Sequence, residues 1–216
     1  YKRQAIGNTP TVNYEVSAVG TLGAGANINT LRYNGAAGTI AGDLATNGIM
    51  NASGNALTFS GAVSGGSSGL VVNSASGTIN FNAAVTMTGD LIFDGSGTTV
   101  LNSNAAVIGG TGNLIKNGSG NLNHGGATPA HNFTGNVIVN GGNISSQNQS
   151  WLNGRNVLLT NGYIGGRFGS GFIWTGGLGT GANQIQITGG TSGFSGEGNT
   201  GSTFQIGTAL SLIHIS

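Results

Sequence analysis

One short phrase returns along the whole chain: two to four aliphatic or aromatic residues, then Asn, Ser, Thr or Asp, then usually Gly. It is seen in Leu57-Thr58-Phe59-Ser60-Gly61, Leu70-Val71-Val72-Asn73, Thr78-Ile79-Asn80-Phe81-Asn82, Leu91-Ile92-Phe93-Asp94-Gly95 and Val100-Leu101-Asn102. It continues in Leu114-Ile115-Lys116-Asn117-Gly118, Val137-Ile138-Val139-Asn140-Gly141, Val157-Leu158-Leu159-Thr160-Asn161-Gly162 and Ile185-Gln186-Ile187-Thr188-Gly189. Each phrase predicts a short strand running into a turn, because β-branched and aromatic residues fit a pleated surface while Asn, Asp and Gly tolerate the bends. From Leu57 to Leu122 the starts fall roughly 8 to 14 residues apart, the rhythm of many short strands. No apolar stripe of helical period stands out, and Gly, β-branched residues, Asn, Ser and Thr are all weak helix formers.

Two architectures fit this rhythm: a sandwich or barrel of hairpins, and a solenoid in which each strand stacks on its counterpart one coil later. The solenoid is better supported, because stacking sets like residue over like and explains recurrent Gly and Asn at the corners. The predicted fold is therefore all-β, a solenoid, with residues 1–209 as one unit. With strands about 4.8 Å apart and roughly 20 to 30 residues per coil, the rod would be about 35 to 50 Å long. Its end coils would expose sheet edges, which predicts that the chain continues in a longer protein.

Composition narrows the class. Of 216 residues 44 are Gly and only 2 Pro, with 37% hydrophobic and 5% charged. Gly without a strict three-residue period excludes collagen, and recurrent aliphatic residues exclude a flexible Gly/Ser coil. A formal charge of +1 gives no electrostatic case for nucleic acid or an anionic membrane. No apolar run approaches the roughly 18 to 20 residues that span a bilayer, so membrane insertion by this segment is not expected. The absence of Cys removes disulfides, thiolate metal sites and cysteine nucleophiles. The chain opens on Tyr1 rather than Met, as expected of a processed chain or an internal piece of a longer reading frame.

The most diagnostic stretch runs from Gly112 to Ile144: Gly112-Asn-Leu114-Ile-Lys116-Asn-Gly118-Ser-Gly120-Asn-Leu122, then Asn132-Phe133-Thr134-Gly135, then Val137-Ile-Val139-Asn-Gly141-Gly142-Asn-Ile144. It resembles the autotransporter-associated β-strand repeat, which reads approximately G-x-L-x-K-x-G-x-G-x-L, a spacer, N-x-[YF]-T-G and a strand ending in G-x-L. The resemblance implies a right-handed parallel β-helix from the passenger of an exported bacterial protein, located at the cell surface or outside it. That family's outer-membrane barrel lies C-terminal to its passenger, so anchoring would come through a part not contained here. The spacer Gly125–His131 departs from the pattern through Pro129, Ala130 and His131, which predicts a bulged loop.

Candidate chemistry is sparse. Gly65-Gly66-Ser67-Ser68-Gly69 satisfies G-x-S-x-G, yet the nucleophile elbow needs a following helix and a His and acid partner, and a Gly/Ser-rich chain produces such a match by composition. His124 and His131 could share a metal, but a third ligand is missing nearby, so a solvent-facing strand-end His and a loop His are expected. Asp43, Asp90 and Asp94 sit outside any calcium-roll phrase and are expected in turn and cap roles. Together with Glu15 and Glu197 they are the only acids, too dispersed for the paired carboxylates of a polysaccharide lyase or glycosidase. Tyr163, Arg167, Phe168, Phe172 and Trp174 cluster in a Gly-rich stretch and are the candidate ligand-contacting residues, since aromatic faces stack on sugars. Capping the core where the coil widens is the favoured alternative for them.

Leu210-Ser211-Leu212-Ile213-His214-Ile215-Ser216 drops the Gly/Asn vocabulary. It coincides with one translated frame of the transposase mosaic-end adapter used in sequencing libraries. Residues 210–216 are therefore expected to lie outside the biological sequence. The expected function is a structural or adhesive stem of an exported surface protein, without catalysis, cofactor or metal, meeting host or neighbouring-cell surfaces or glycans. The alternative is a carbohydrate-active β-helix enzyme or a sugar-binding module.

Overall fold

The computed structural model describes residues 6–126, 131–147, 152, 154–167, 172–197, 203–207 and 213–214. It is the predicted parallel β-helix, with about seven stacked coils and no α-helix among the described residues. Among the described residues the strands fall into sheets of 12, 8 and 3. The long strands Thr9–Val16, Ala26–Tyr33 and Leu44–Asn51 open the stack. Leu44–Asn51 then pairs in its first half with Val63–Gly65 and in its second half with Leu70–Ser74. The described strands then lie on three faces: a first, in three coils (Val63–Gly65, Val85–Met87, Ile108–Gly110), a second (Leu70–Ser74, Leu91–Asp94, Leu114–Lys116, Val137–Val139, Val157–Leu159, Ile185–Ile187) and a third (Gly38–Ile40 through Gly193–Glu197).

Alternation along each strand sends one set of side chains inward, and parallel stacking joins them into columns. On the first face the column is Ala26, Leu44, Val63, Val85, Ile108. On the second it is Tyr14, Leu31, Ile49, Val72, Phe93, Lys116, Val139, Leu159, and the column ends there, since the next residue in register, Ile187, is exposed. The third face carries Leu57, Ile79, Thr99, Leu122, Ile144, Ile164, Phe194, and beside it Ile40, Phe59, Phe81, Leu101, His124, Ser146, Gly166, Gly196. Phe59 and Phe81 stack with centroids 5.5 Å apart. Each such aliphatic or aromatic side chain contributes about 1.5–3 kcal/mol through burial, and most of these are under 2% exposed.

Glycine fills the corners because successive backbones touch there. A Cβ on Gly112 would lie 1.9 Å from Gly89 O, and one on Gly135 2.2 Å from Gly112 O. At another corner Gly97 faces Gly77 O at 2.1 Å and Gly120 faces Gly97 O at 1.8 Å. The high glycine content is thus a packing requirement of a narrow coil, not a sign of flexibility.

Candidate functional site

The exterior of the second face repeats in register from coil to coil. Residues that flank and alternate with the inward column point outward, so each coil contributes a row of three. The rows are Asp90-Ile92-Asp94, Asn113-Ile115-Asn117, Asn136-Ile138-Asn140 and Asn156-Leu158-Thr160, preceded by Val71 with Asn73 and followed by Gln184-Gln186-Thr188. The result is an aliphatic column from Val71 to Leu158 bordered on both sides by polar columns. Val71 is 41% exposed; Ile92, Ile115, Ile138 and Leu158 are half-buried, and Asn136, Asn140 and Thr160 are exposed.

The polar columns are held by bonds from one coil to the next. Asn113 donates its backbone N–H (2.9 Å) and its Nδ2 (3.0 Å) to Asp90 Oδ1, and Asn136 N–H donates to Asn113 Oδ1 at 2.9 Å. On the other side Asn140 Nδ2 donates to Asn117 Oδ1 at 3.0 Å, and the Thr160 and Thr188 hydroxyls lie 2.8 Å apart. Asp43 Oδ1 accepts from Ala62 N–H at 2.8 Å, and Asp94 Oδ1 accepts from Gly95 N–H at 2.7 Å. Of the turn and cap roles expected of Asp43, Asp90 and Asp94, Asp94 alone closes its own turn, whereas Asp43 and Asp90 accept from the adjacent coil. Glu15 pairs with Arg32 on the next coil at 2.5 Å, while Glu197 ends an outer strand opposite Arg167 in register.

A second cluster lies inside. Lys116 occupies the column between Phe93 and Val139, and its Nζ donates to the corner carbonyls of Asn117 and, at 3.0 Å, of Gly118. Burial lowers its amine to about 8, partly opposed by Asp94. The unfolded chain therefore holds more protons between about pH 8 and 10.5, and stability should rise with pH across that window, by about 1–2 kcal/mol between pH 7.5 and 9.5. Burial raises Tyr33, which opposes the trend only above its ordinary value near 10. Thermal melts at the two pH values check this; Lys116→Met should flatten the rise, and a fall in the parent chain would refute the assignment.

His124 stacks under Leu101, and the ladder places His131 over Ile108, since Asn132 N–H donates to Ile108 O and Thr134 N–H to Gly110 O, both at 3.0 Å. The imidazoles meet edge to face at 4.9 Å, 1% and 9% exposed. Ile108 N–H donates to His131 Nδ1 at 2.7 Å, and Gly126 N–H to His124 Nδ1 at 3.1 Å. Arg155 closes the group, its guanidinium 4.0 Å above the Phe133 ring and donating to Phe133 O at 2.6 Å and His131 O at 3.2 Å. Burial pulls His124 down to about 4, with the Gly126 hydrogen bond opposing; burial, then His124 and Arg155, take His131 to about 3. The expectation that these histidines face solvent is therefore corrected: both rings are buried and pack against each other, His124 in the column below Leu101.

No protein family, curated protein or solved structure matches this chain. Of the sequence-predicted ligand contacts, Trp174 is fully buried, so its ring faces the protein interior and not a ligand. Tyr163 and Arg167 are half-buried on the third face, whereas Phe168 and the side chain of Phe172 lie outside the described residues. The Gly65–Gly69 phrase forms a strand end and a tight turn, with Gly69 N–H donating to Gly66 O at 3.0 Å, and a strand, not a helix, follows at Leu70–Ser74. Among the described residues no three His, Cys, Asp or Glu side chains gather as a metal site. Of the terminal heptapeptide only Ile213 and His214 are described, pairing antiparallel with Phe204 and Thr203. The amide-bordered face escaped the sequence reading, although its signal was present: Asp or Asn stands two residues before and two after the central aliphatic in Asp90–Asp94, Asn113–Asn117 and Asn136–Asn140.

Proposed function

We propose that this chain is part of the stem of an exported, passenger-type surface protein, a rod that carries adhesive contacts and performs no catalysis of its own. The observation that carries the reading is the use of its carboxylates: Glu15, Asp43 and Asp90 each bind the adjacent coil, and Asp94 closes its own turn. Carboxylates committed to holding coils together are poorly placed for acid–base chemistry, which needs a pair opposed across a substrate groove. A stack in which each coil contacts only its neighbours is lengthened by simple repetition, a suitable plan for a spacer. The test is location. Antibodies raised against the folded chain should label intact cells of the organism that encodes it, and brief protease treatment of those cells should abolish the label. Labelling that appears only after the cells are permeabilised would overturn the reading.

A further inference from the structure

The geometry points to the exterior of the second face as a binding site for a neutral, equatorially linked polysaccharide chain laid along the stack axis. This inference does not rest on the stem reading, since a rod could bear such a face or lack it. A pyranose with equatorial hydroxyls presents apolar C–H faces and a polar rim. The surface presents the matching cross-section, with the aliphatic column Val71, Ile92, Ile115, Ile138, Leu158 in the middle and Asn136, Asn140, Asn113 and Asn117 among the polar groups at its sides. Apolar contact supplies attraction and the flanking amides fix orientation, the division of labour usual in ligand sites. Strand stacking repeats the row every ~4.8 Å, close to the length of one sugar ring, so successive rings meet successive rows.

Preorganisation adds to the case. The bonds Asn136 N–H to Asn113 Oδ1 and Asn140 Nδ2 to Asn117 Oδ1 hold the ladders before any ligand arrives, which lowers the ordering cost of binding. Charge selects the class of polymer. The only charged groups in these columns from Val71 to Thr188 are Asp90 and Asp94, which repel an anionic chain and leave a neutral one unaffected. Area argues against a second copy of this chain as occupant. Five rows of about 4.8 Å, some 16 Å wide, offer about 400 Å², half of the ~800 Å² per partner that stable dimers bury. The column ends at Gly48, which lies between Thr30 and Val71 and leaves a groove there.

The experiment is depletion of the purified chain by insoluble cellulose and chitin, with dextran beads and cross-linked polygalacturonate as axial-linkage and anionic controls. Retention on cellulose or chitin and not on the controls is the expected result. Ile115→Thr/Ile138→Thr keeps strand-forming residues in place and should weaken retention about tenfold or more, with an unchanged far-UV spectrum. Asn136→Leu/Asn140→Leu should also weaken it, and Asn80→Ala on the third face should not. Retention on neither neutral polymer, equal retention by both face variants, or equal retention on polygalacturonate would overturn the site. So would a dimer in sedimentation that Ile115→Thr/Ile138→Thr dissociates. None of these outcomes touches the surface-labelling test of the stem.

Discussion

Lowering the pH from 7 to about 4.5 should open the C-terminal coils of this protein while its N-terminal coils stay folded. His124 and His131 touch inside the stack, and their folded values of about 4 and about 3 lie far below the ~6.5 of an exposed histidine. Between those limits the unfolded segment binds more protons than the folded one. The stability both histidines support is therefore complete above about pH 6.5 and is lost as pH falls toward about 4, a change of several kcal/mol if both contribute. The neighbouring charge, the Arg155 guanidinium, donates to His131 O and adds to the cost of a second cation. Because a solenoid coil touches only its neighbours, the rupture should spread from this level toward Trp174 and not through the Phe59–Phe81 core. Both tryptophans, Trp151 and Trp174, lie beyond the histidines, so a red shift of tryptophan fluorescence should precede the loss of far-UV strand signal. His124→Leu, which extends the aliphatic column below Leu101, should move the fluorescence transition to lower pH. A transition that the variant leaves in place would refute the histidine origin.

Replacing a corner glycine should be nearly as damaging. In Gly112→Ala the new methyl would lie 1.9 Å from Gly89 O, and in Gly120→Ala 1.8 Å from Gly97 O. Both obstacles are backbone carbonyls that cannot rotate away, so the coils must separate and give up ladder hydrogen bonds and column contacts. A loss of at least about 3 kcal/mol is expected, or roughly 6–12 °C in Tm for a chain of this size. Gly23→Ala is the control, since nothing lies within 4 Å of its added Cβ, and its effect should be neutral or slightly stabilising. Equal melting of Gly112→Ala and Gly23→Ala would refute the view that corner glycines are there to let backbones touch.

How far the sequence reached differs by residue. In Leu114-Ile115-Lys116 the alternation that sets Leu114 inward also sets Lys116 inward, yet residue type argues the other way, because a lysine in a core column is costly unless carbonyls receive its amine. Here the corner supplies two, Asn117 O and Gly118 O. Trp174 shows the reverse, for a Gly-rich aromatic cluster reads equally well as a sugar platform or a plug, and only burial separates them. The histidine contact was beyond reach, because seven residues of loop say nothing of which column their end will enter.

The sequence by itself determined the strands, their turns and the stacked-coil architecture, because period-2 alternation and Asn/Gly corners are local and repeat in every coil. Only the tertiary structure decided the register, since coils of unequal length can stack in several ways and hydrogen bonding along the ladder selects one. Register in turn placed His124 against His131, set carboxylates on the neighbouring coil, and aligned Val71 through Leu158 into one outward column bordered by amides. Those features are properties of residues about one coil apart, and no local pattern of hydrophobic and polar positions encodes them.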